Sequence, residues 1–384
     1  MKHWAGAAII SVIAAAGAWA QFGGLVSPAG NGEVKLAPDA RPASIGASSS
    51  SVAAPVAQAT VKAAAVKIID GQLTRGGNPW IPRGVVQIAF VAPPAAQDGV
   101  FLAAYQNYTP TDYDAMHDLG IDSVRMQVSQ PGMDPQSSLF DTAFRDKFYG
   151  AVRAARAHGL SVLISIQDEE QSGETTPTPL PNAATRRVWA TIAAEFGDDR
   201  GVFFEILNEP QPSATAANWE DWRTSYNAAI QTIRDAGAIN VVVADGLLFG
   251  ERLSGAPALT DPLGQVAYAS HPYAHDAAGE TSADWDTKFG NFAASHPVIV
   301  TEWTTSTNFY CGPNTGQAAG QFLAYLGSHR VGLMAFAWDF SGNKFGSAFQ
   351  GFPPLPTAYQ NLSCGDVGFG PGNKILNAYA NWPQ

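Results

Sequence analysis

The sequence predicts a closed (β/α)8 barrel, and three observations carry that expectation. Eight short apolar runs recur along the chain: Gly84–Phe90, Ser123–Val128, Ser161–Ile166, Val202–Leu207, Val241–Asp245, Val266–Ser270, Val298–Thr301 and Gly332–Trp338. Amphipathic segments lie between most of them, at Thr111–Leu119, Phe140–His158, Ala183–Phe196, Trp219–Ala236, Ala283–Ser295 and Thr315–His329. Strand and helix alternating in this way mark βαβ units and a parallel sheet. An open dinucleotide-binding sheet would carry G-x-G-x-x-G after its first strand, whereas Val91-Ala92-Pro93-Pro94 stands there without a glycine. Eight such units close into a barrel more naturally than they spread into an open sheet.

Taken in order, the chain opens with a leader. Lys2 and His3 form a short positive region, Trp4 to Gly17 an uncharged apolar run, and Ala18-Trp19-Ala20 a small-x-small pattern. This is the layout of a signal peptide over residues 1–20 cleaved before Gln21, which predicts a secreted or periplasmic protein. Residues 21–65 are rich in Ala, Ser, Pro and Gly, with no aromatic after Phe22, and read as a flexible linker. The folded domain is expected over residues 66–384. It begins with a small hairpin, Ile68–Leu73 against Pro79–Ile81, around Arg75-Gly76-Gly77-Asn78. The Gly- and Pro-containing stretch Leu247–Leu263 predicts a short or absent helix between the fifth and sixth barrel strands.

Of the 384 residues, 46% are hydrophobic, enough for a sizeable core, and only 14% are charged. The net charge of −11 argues against nucleic acid, and against a membrane once the leader is removed, because both need a basic patch. Two cysteines exclude a disulfide-dense scaffold. In an oxidising compartment Cys311 and Cys364 are expected to pair, tying two loops at the active-site end of the barrel; two free buried thiols are the alternative. Nothing in the sequence demands more than a monomer.

In a barrel the chemistry sits at the C-terminal ends of the strands. The fourth strand runs out through Asn208-Glu209-Pro210 and the seventh through Thr301-Glu302-Trp303, each placing an acid after an uncharged run. Two carboxylates on facing strand ends can divide the work of acid/base and nucleophile in glycoside hydrolysis. One must keep its proton and the other stay ionised, which their surroundings decide.

These motifs, with Arg125 ending the second strand, His271-Pro272-Tyr273 the sixth, Trp338 the eighth, and Gly71…Pro79-Trp80-Ile81-Pro82-Arg83-Gly84-Val85 opening the domain, resemble glycoside hydrolase family 5. The resemblance spans residues 66–384 and implies a retaining (β/α)8 glycosidase without a cofactor, acting on a β-linked polysaccharide. It implies that Glu209 is the general acid/base and Glu302 the nucleophile. Arg125 would hold the pKa of Glu302 down and Tyr273 would donate to it. Asn208 would bond the sugar 2-hydroxyl, His271 orient substrate or acid, and Trp338 face a pyranose ring. The family usually has a His at the end of the third strand, where Gln167 stands here; it can hydrogen-bond a sugar but cannot titrate. An endo-β-1,4-glucanase is the favoured activity, ahead of a β-mannanase on the same scaffold.

Other patterns have plainer readings. His271 and His275 are spaced like helical metal ligands, but Pro272 and Tyr273 between them oppose a helix, and no metal site is expected. Asp168-Glu169-Glu170 reads as a solvated loop run, with a cation or rim role as the lesser option. Trp219 and Trp222 should face the core, whereas Trp303, Tyr105 and Tyr108 are candidates for stacking on sugar. A non-catalytic carbohydrate-binding barrel is the competing class, and retention of both acids with Arg125 and Tyr273 argues against it. No G-x-S-x-G elbow is present, which removes the usual serine esterase.

Overall fold

The computed structural model describes residues 64–97, 99–174, 176–273, 280–303, 315–339 and 371–383. The leader, most of the linker, His275, Cys311 and Cys364 lie outside the described residues.

Asp-Gly and Gly-Gly turns build the first element. β1 (Val66–Ile69), β2 (Gln72–Arg75) and β3 (Asn78–Pro79) form a three-stranded antiparallel sheet. Ile69 pairs with Gln72 and Arg75 with Asn78, so each turn has two residues. Both members of each turn have positive φ: Asp70 and Gly71 at 50° and 76°, Gly76 and Gly77 at 62° and 86°. That is the demand of the tight hairpin turn whose twist matches the strands. The expected single strand Ile68–Leu73 is thus broken at Asp70-Gly71, a turn signal that its flanking apolar residues concealed.

Eight parallel strands then close on themselves: β4 (Arg83–Phe90), β5 (Ser123–Ser129), β6 (Ser161–Gln167), β7 (Val202–Glu205), β8 (Val242–Asp245), β9 (Val266–Ser270), β10 (Val298–Trp303) and β11 (Gly332–Ala335). Neighbours in sequence are neighbours in space, and β11 pairs with β4 through Leu333 and Arg83. The predicted (β/α)8 barrel is therefore the fold. The three-stranded sheet sits against its N-terminal end, where Trp80 Nε1 donates to Asp122 at 2.8 Å and Arg75 to the Gly159 carbonyl at 2.6 Å. The opposite end is left for the site.

The outer helices start where capping chemistry puts them. Asp141 caps Thr142–Ala157, Asn182 and Thr185 form a capping box for Ala183–Phe196, and Thr215 caps Ala216–Asp235. Trp219 and Trp222 face the core, as their spacing predicts. The indole of Trp222 donates to the Asp245 carbonyl and that of Trp189 to the Ile206 carbonyl, both at 2.8 Å. Two helix tryptophans thereby anchor the C-terminal ends of β7 and β8.

Several elements differ from expectation. Gly99–Asn107 is helical without a capping acid or closing base, so its pattern gave no boundary. The helix expected over Ala283–Ser295 is interrupted by a wide π turn at Asp286–Gly290. No helix lies in the described stretch Leu247–Leu263, as predicted. A further helix, Pro371–Asn381, closes the barrel seam: the Tyr379 hydroxyl donates to the carbonyls of Gly84 at 2.7 Å and Leu333 at 3.0 Å. No described helix is long and apolar enough to cross a membrane.

Candidate active site

Arg125 is the centre of the site. It points inward from β5 and is fully buried, with four acceptors around its guanidinium. Nε donates to Glu205 at 2.5 Å, Nη1 to Glu302 at 3.0 Å, and Nη2 to Asn208 Oδ1 at 2.6 Å and Ser165 at 3.0 Å. One planar cation thus ties together β5, β6, β10 and the β7 exit, the kind of multi-pronged contact that suits Arg and not Lys.

Glu302 is reached by three donors. Beside Arg125, Gln127 Nε2 donates to Oε2 at 3.0 Å and the Tyr273 hydroxyl to Oε1 at 3.1 Å. Tyr273 is itself held from below by Lys288, which turns inward on the π turn, donates to the Tyr273 carbonyl at 3.0 Å and pairs with Glu251 at 2.5 Å. Burial raises the Glu302 pKa and Glu209 adds to that, while His271, Arg125 and Tyr273 oppose it. The expectation that Arg125 holds this carboxyl down is met in sign but outweighed by burial, because Arg125 is shared with Glu205.

Glu209 sits in a different setting. Its φ of 49° is in the left-handed region, uncommon for a residue with a side chain. Its backbone N–H donates to Asp245 Oδ2 at 3.1 Å, which holds that conformation in place. Its carboxyl meets His271 Nδ1 at 3.0 Å, and His271 Nε2 meets Thr301 Oγ1 at 2.8 Å. Burial pushes the His271 pKa down to about 4, so the ring is neutral, with one nitrogen donating and the other accepting. Burial also pushes Glu209 up to about 7, with Arg125 opposing and Glu205 reinforcing. The two carboxyls therefore part company: Glu302 has three donors on its oxygens, and Glu209 has a neutral ring.

Ligand atoms of Glu209, His271 and Glu302 all lie within 4.8 Å of one another. Glu205, Asp245 and His271 form a second such group beneath them, entirely buried. Either trio has the donors and the spacing for a divalent ion. In both, however, Arg125 already supplies the positive charge that a cation would bring.

The other expected residues are placed as follows. Asn208 is buried at the β7 exit, with Oδ1 on Arg125 and Nδ2 donating to Glu169. Gln167 is buried at the end of β6 and reaches Ser165 at 3.4 Å. Trp338 follows β11, its N–H donating to the Val86 carbonyl at 2.7 Å, and is only 1% exposed. Trp303 is turned into the core against Phe322, with ring centroids 4.7 Å apart, and offers no face to a sugar. Tyr105 and Tyr108 are half-buried, both packing edge-on against Phe90. The acidic run is not the solvated one expected, for Asp168 is buried and accepts from the Thr178 N–H at 3.0 Å. Only Glu170 of the three is exposed.

Reading the sequence did not single out Glu205, Asp245 or Gln127, and took Glu169 only as one of three acids in a loop run. Glu205 and Gln127 carried a signal, being long polar residues within predicted barrel strands, and both are buried with the rest of those strands. Glu169 carried none, since a loop residue's direction has no period to reveal it.

Comparison with known proteins accords with this geometry. The family model Cellulase (glycosyl hydrolase family 5) matches residues 93–344. Endoglycoceramidase I of Rhodococcus hoagii is 26% identical over 186 residues, 36% of this chain and 38% of that protein. Cellulase CelDZ1 of a Thermoanaerobacterium species is 25% identical over 206 residues, 49% of this chain and 50% of that protein. The chain thus spans half or less of the length of these relatives. A β-glucanase of Saccharophagus degradans, solved with cellotetraose, superposes with a TM-score of 0.61 at 18% identity, over 83% of this chain and 93% of that one. With the family model spanning well over half of its length, the chain belongs to glycosyl hydrolase family 5.

Proposed function

We propose that the protein is a secreted retaining endo-β-1,4-glucanase, with Glu302 as nucleophile and Glu209 as acid/base. The observation that carries the reading is the approach of the two carboxyls, with oxygens within 4.8 Å. Retaining enzymes hold their pair about 5–5.5 Å apart, whereas inverting ones leave roughly 6.5–9.5 Å for a water. In the first step Glu302 attacks the anomeric carbon while Glu209 gives its proton to the departing glycosidic oxygen. A covalent glycosyl-enzyme forms. In the second step Glu209, now ionised, takes a proton from water, which attacks the same carbon and releases Glu302.

The surroundings support this division. Arg125, Gln127 and Tyr273 stabilise the ionised form of Glu302, and the neutral His271 lets Glu209 keep its proton. Arg125 acts from beneath, buried and out of reach of substrate. Gln167, Asn208, His271, Tyr273 and Trp338 are assigned to binding the sugar, and a Cys311–Cys364 bridge belongs to the same reading of an exported protein. The leader at residues 1–20 favours an exported protein, and nothing in the sequence demands more than a monomer.

Reducing ends released from soluble β-glucan, mannan and xylan, with a glycosylceramide alongside, test the reading. Turnover of β-glucan with retained anomeric configuration is the expected result, and silence on all four overturns it. The pH profile follows from Glu209. Because its pKa is raised to about 7, it is protonated below that value, and kcat/KM falls as pH rises through it. A profile flat from pH 5 to 9 would remove Glu209 from the role of acid.

A further inference from the structure

We propose that Glu169 is a further substrate-contacting residue, whose carboxyl and the Asn208 amide together hold the substituent on C2 of the sugar poised between Glu209 and Glu302. The proposal rests on the reading of that pair as acid/base and nucleophile.

The backbone of Glu169 is fixed where β6 leaves the barrel. Its N–H donates to Ser172 Oγ at 3.1 Å and its carbonyl accepts from the same hydroxyl at 2.6 Å, a turn that caps Glu170–Ser172. The side chain then reaches toward β7, taking hydrogen bonds from Asn208 Nδ2 and Gln171 Nε2. Arg125 holds the other end of the same Asn208 amide at 2.6 Å. Asn208 cannot rotate without losing one of the two partners, so its second N–H points in a fixed direction.

Asn208 is buried and Glu169 half-buried, so a ligand that reaches the amide also meets the carboxyl. A hydroxyl both donates and accepts. It can give its hydrogen to Glu169 and take the free Asn208 N–H, satisfying both roles at once. The ring position next to the attacked carbon is C2, and one guanidinium, that of Arg125, holds the Asn208 amide beside Glu302, whose oxygen attacks that carbon. The substituent at C2 is therefore the one within reach.

A purely structural role for Glu169 as a prop for Asn208 is a poor fit. Burial and the proximity of Glu209 push its pKa up to about 8, so this carboxyl is costly to the empty site. A neutral glutamine would prop the amide without that cost. Residues that destabilise an empty site are characteristic of function.

The test is a cycle between residue and substrate group. Wild type, Glu169→Gln and Glu169→Ala are compared on an aryl β-cellobioside and on its counterpart lacking the 2-hydroxyl of the aryl-bearing sugar. On the complete substrate both variants should lose about 10-fold in kcat/KM, the size of one hydrogen bond to a carboxyl that is neutral at pH 7. The loss should fall on kcat more than KM, because contacts to this hydroxyl strengthen in the transition state. On the deoxy substrate the same variants should match wild type within about threefold, since the group they would miss is already gone. Equal losses on both substrates overturn the proposal and leave Glu169 acting through Asn208 or the fold. Glutamine matches glutamate in shape, so its folding is secure if alanine's is not. Wild type inactive on the complete substrate would defeat the reading of the catalytic pair itself, and the proposal would fall with it.

Discussion

Replacing Glu302 with Gln is expected to lower kcat by at least about 10,000-fold, the scale seen when a residue that forms the covalent intermediate is removed. Glutamine fills the same volume, its one oxygen can still accept from Arg125 and Gln127, and its amide N–H can donate to the Tyr273 hydroxyl, so the pocket keeps its shape. What it lacks is a lone pair able to displace an alkoxide. The same substitution should leave the melting temperature unchanged or raised at pH 7. It removes a carboxylate that burial and Glu209 disfavour. Kinetics on an aryl β-cellobioside and calorimetry on the same sample check both halves. Retained turnover would take the nucleophile's role away from Glu302, and a fall in melting temperature alongside lost activity would trace that loss to unfolding instead.

Arg125 should be the residue whose loss costs most stability. Arg125→Leu leaves Glu205 and Glu302 buried with no cation, and breaking a buried ion pair from one side costs about 3–5 kcal/mol. The penalty depends on pH, and its sign follows from Glu205. Burial alone would raise the pKa of that carboxyl, but Arg125 outweighs it and holds it below the usual value. In the wild type Glu205 thus contributes stability above its unfolded pKa, lost as pH falls through the folded one. In the leucine variant the same carboxyl takes up a proton, and its contribution is lost as pH rises. The gap between the two proteins should widen from pH 5 to pH 7 in urea unfolding. Arg125→Lys retains charge but not the fork. It should fold closer to wild type yet lose about 100-fold or more in kcat/KM, because a single ammonium cannot hold Glu205, Glu302 and Asn208 together. A gap that stays constant with pH would remove Glu205 from this account.

How much of this was legible in the sequence depended on whether a pattern pointed to a direction. Barrel strands declared themselves because a strand covered on both faces is apolar throughout, and the acids at their ends stood out against that run. Glu209 and Glu302 were singled out in this way. Glu205 stood inside the run, four residues before Glu209, and the stronger motif drew attention from it. Asp245 was read only as the last residue of its strand, although its carboxyl holds the Glu209 backbone. Glu169 was hidden for another reason, since three acids in succession look solvated until the capping turn at Glu170–Ser172 shows which of them turns inward. Gly99–Asn107 escaped because tertiary burial, not capping, makes it a helix. Trp303 misled in the opposite sense, its place beside Glu302 suggesting a sugar platform where alternation along β10 sends the indole outward to Phe322.

The seam closed by Tyr379 also governs how the barrel comes into being. Its hydroxyl joins the first and last barrel strands from a position 295 residues beyond Gly84. β4 emerges first among those strands, and its outer edge has no neighbour until β11 and the last helix have been made. During that interval the nascent chain carries an unpaired apolar strand edge, the feature that invites pairing with another molecule. Ring closure across so long a span is slow, because the entropy of bringing the ends together is lost before any contact rewards it. The helix that follows β11 then works as a latch, and shortening the chain ahead of Tyr379 should yield strands and helices in plenty that associate through the open edge, but few closed rings.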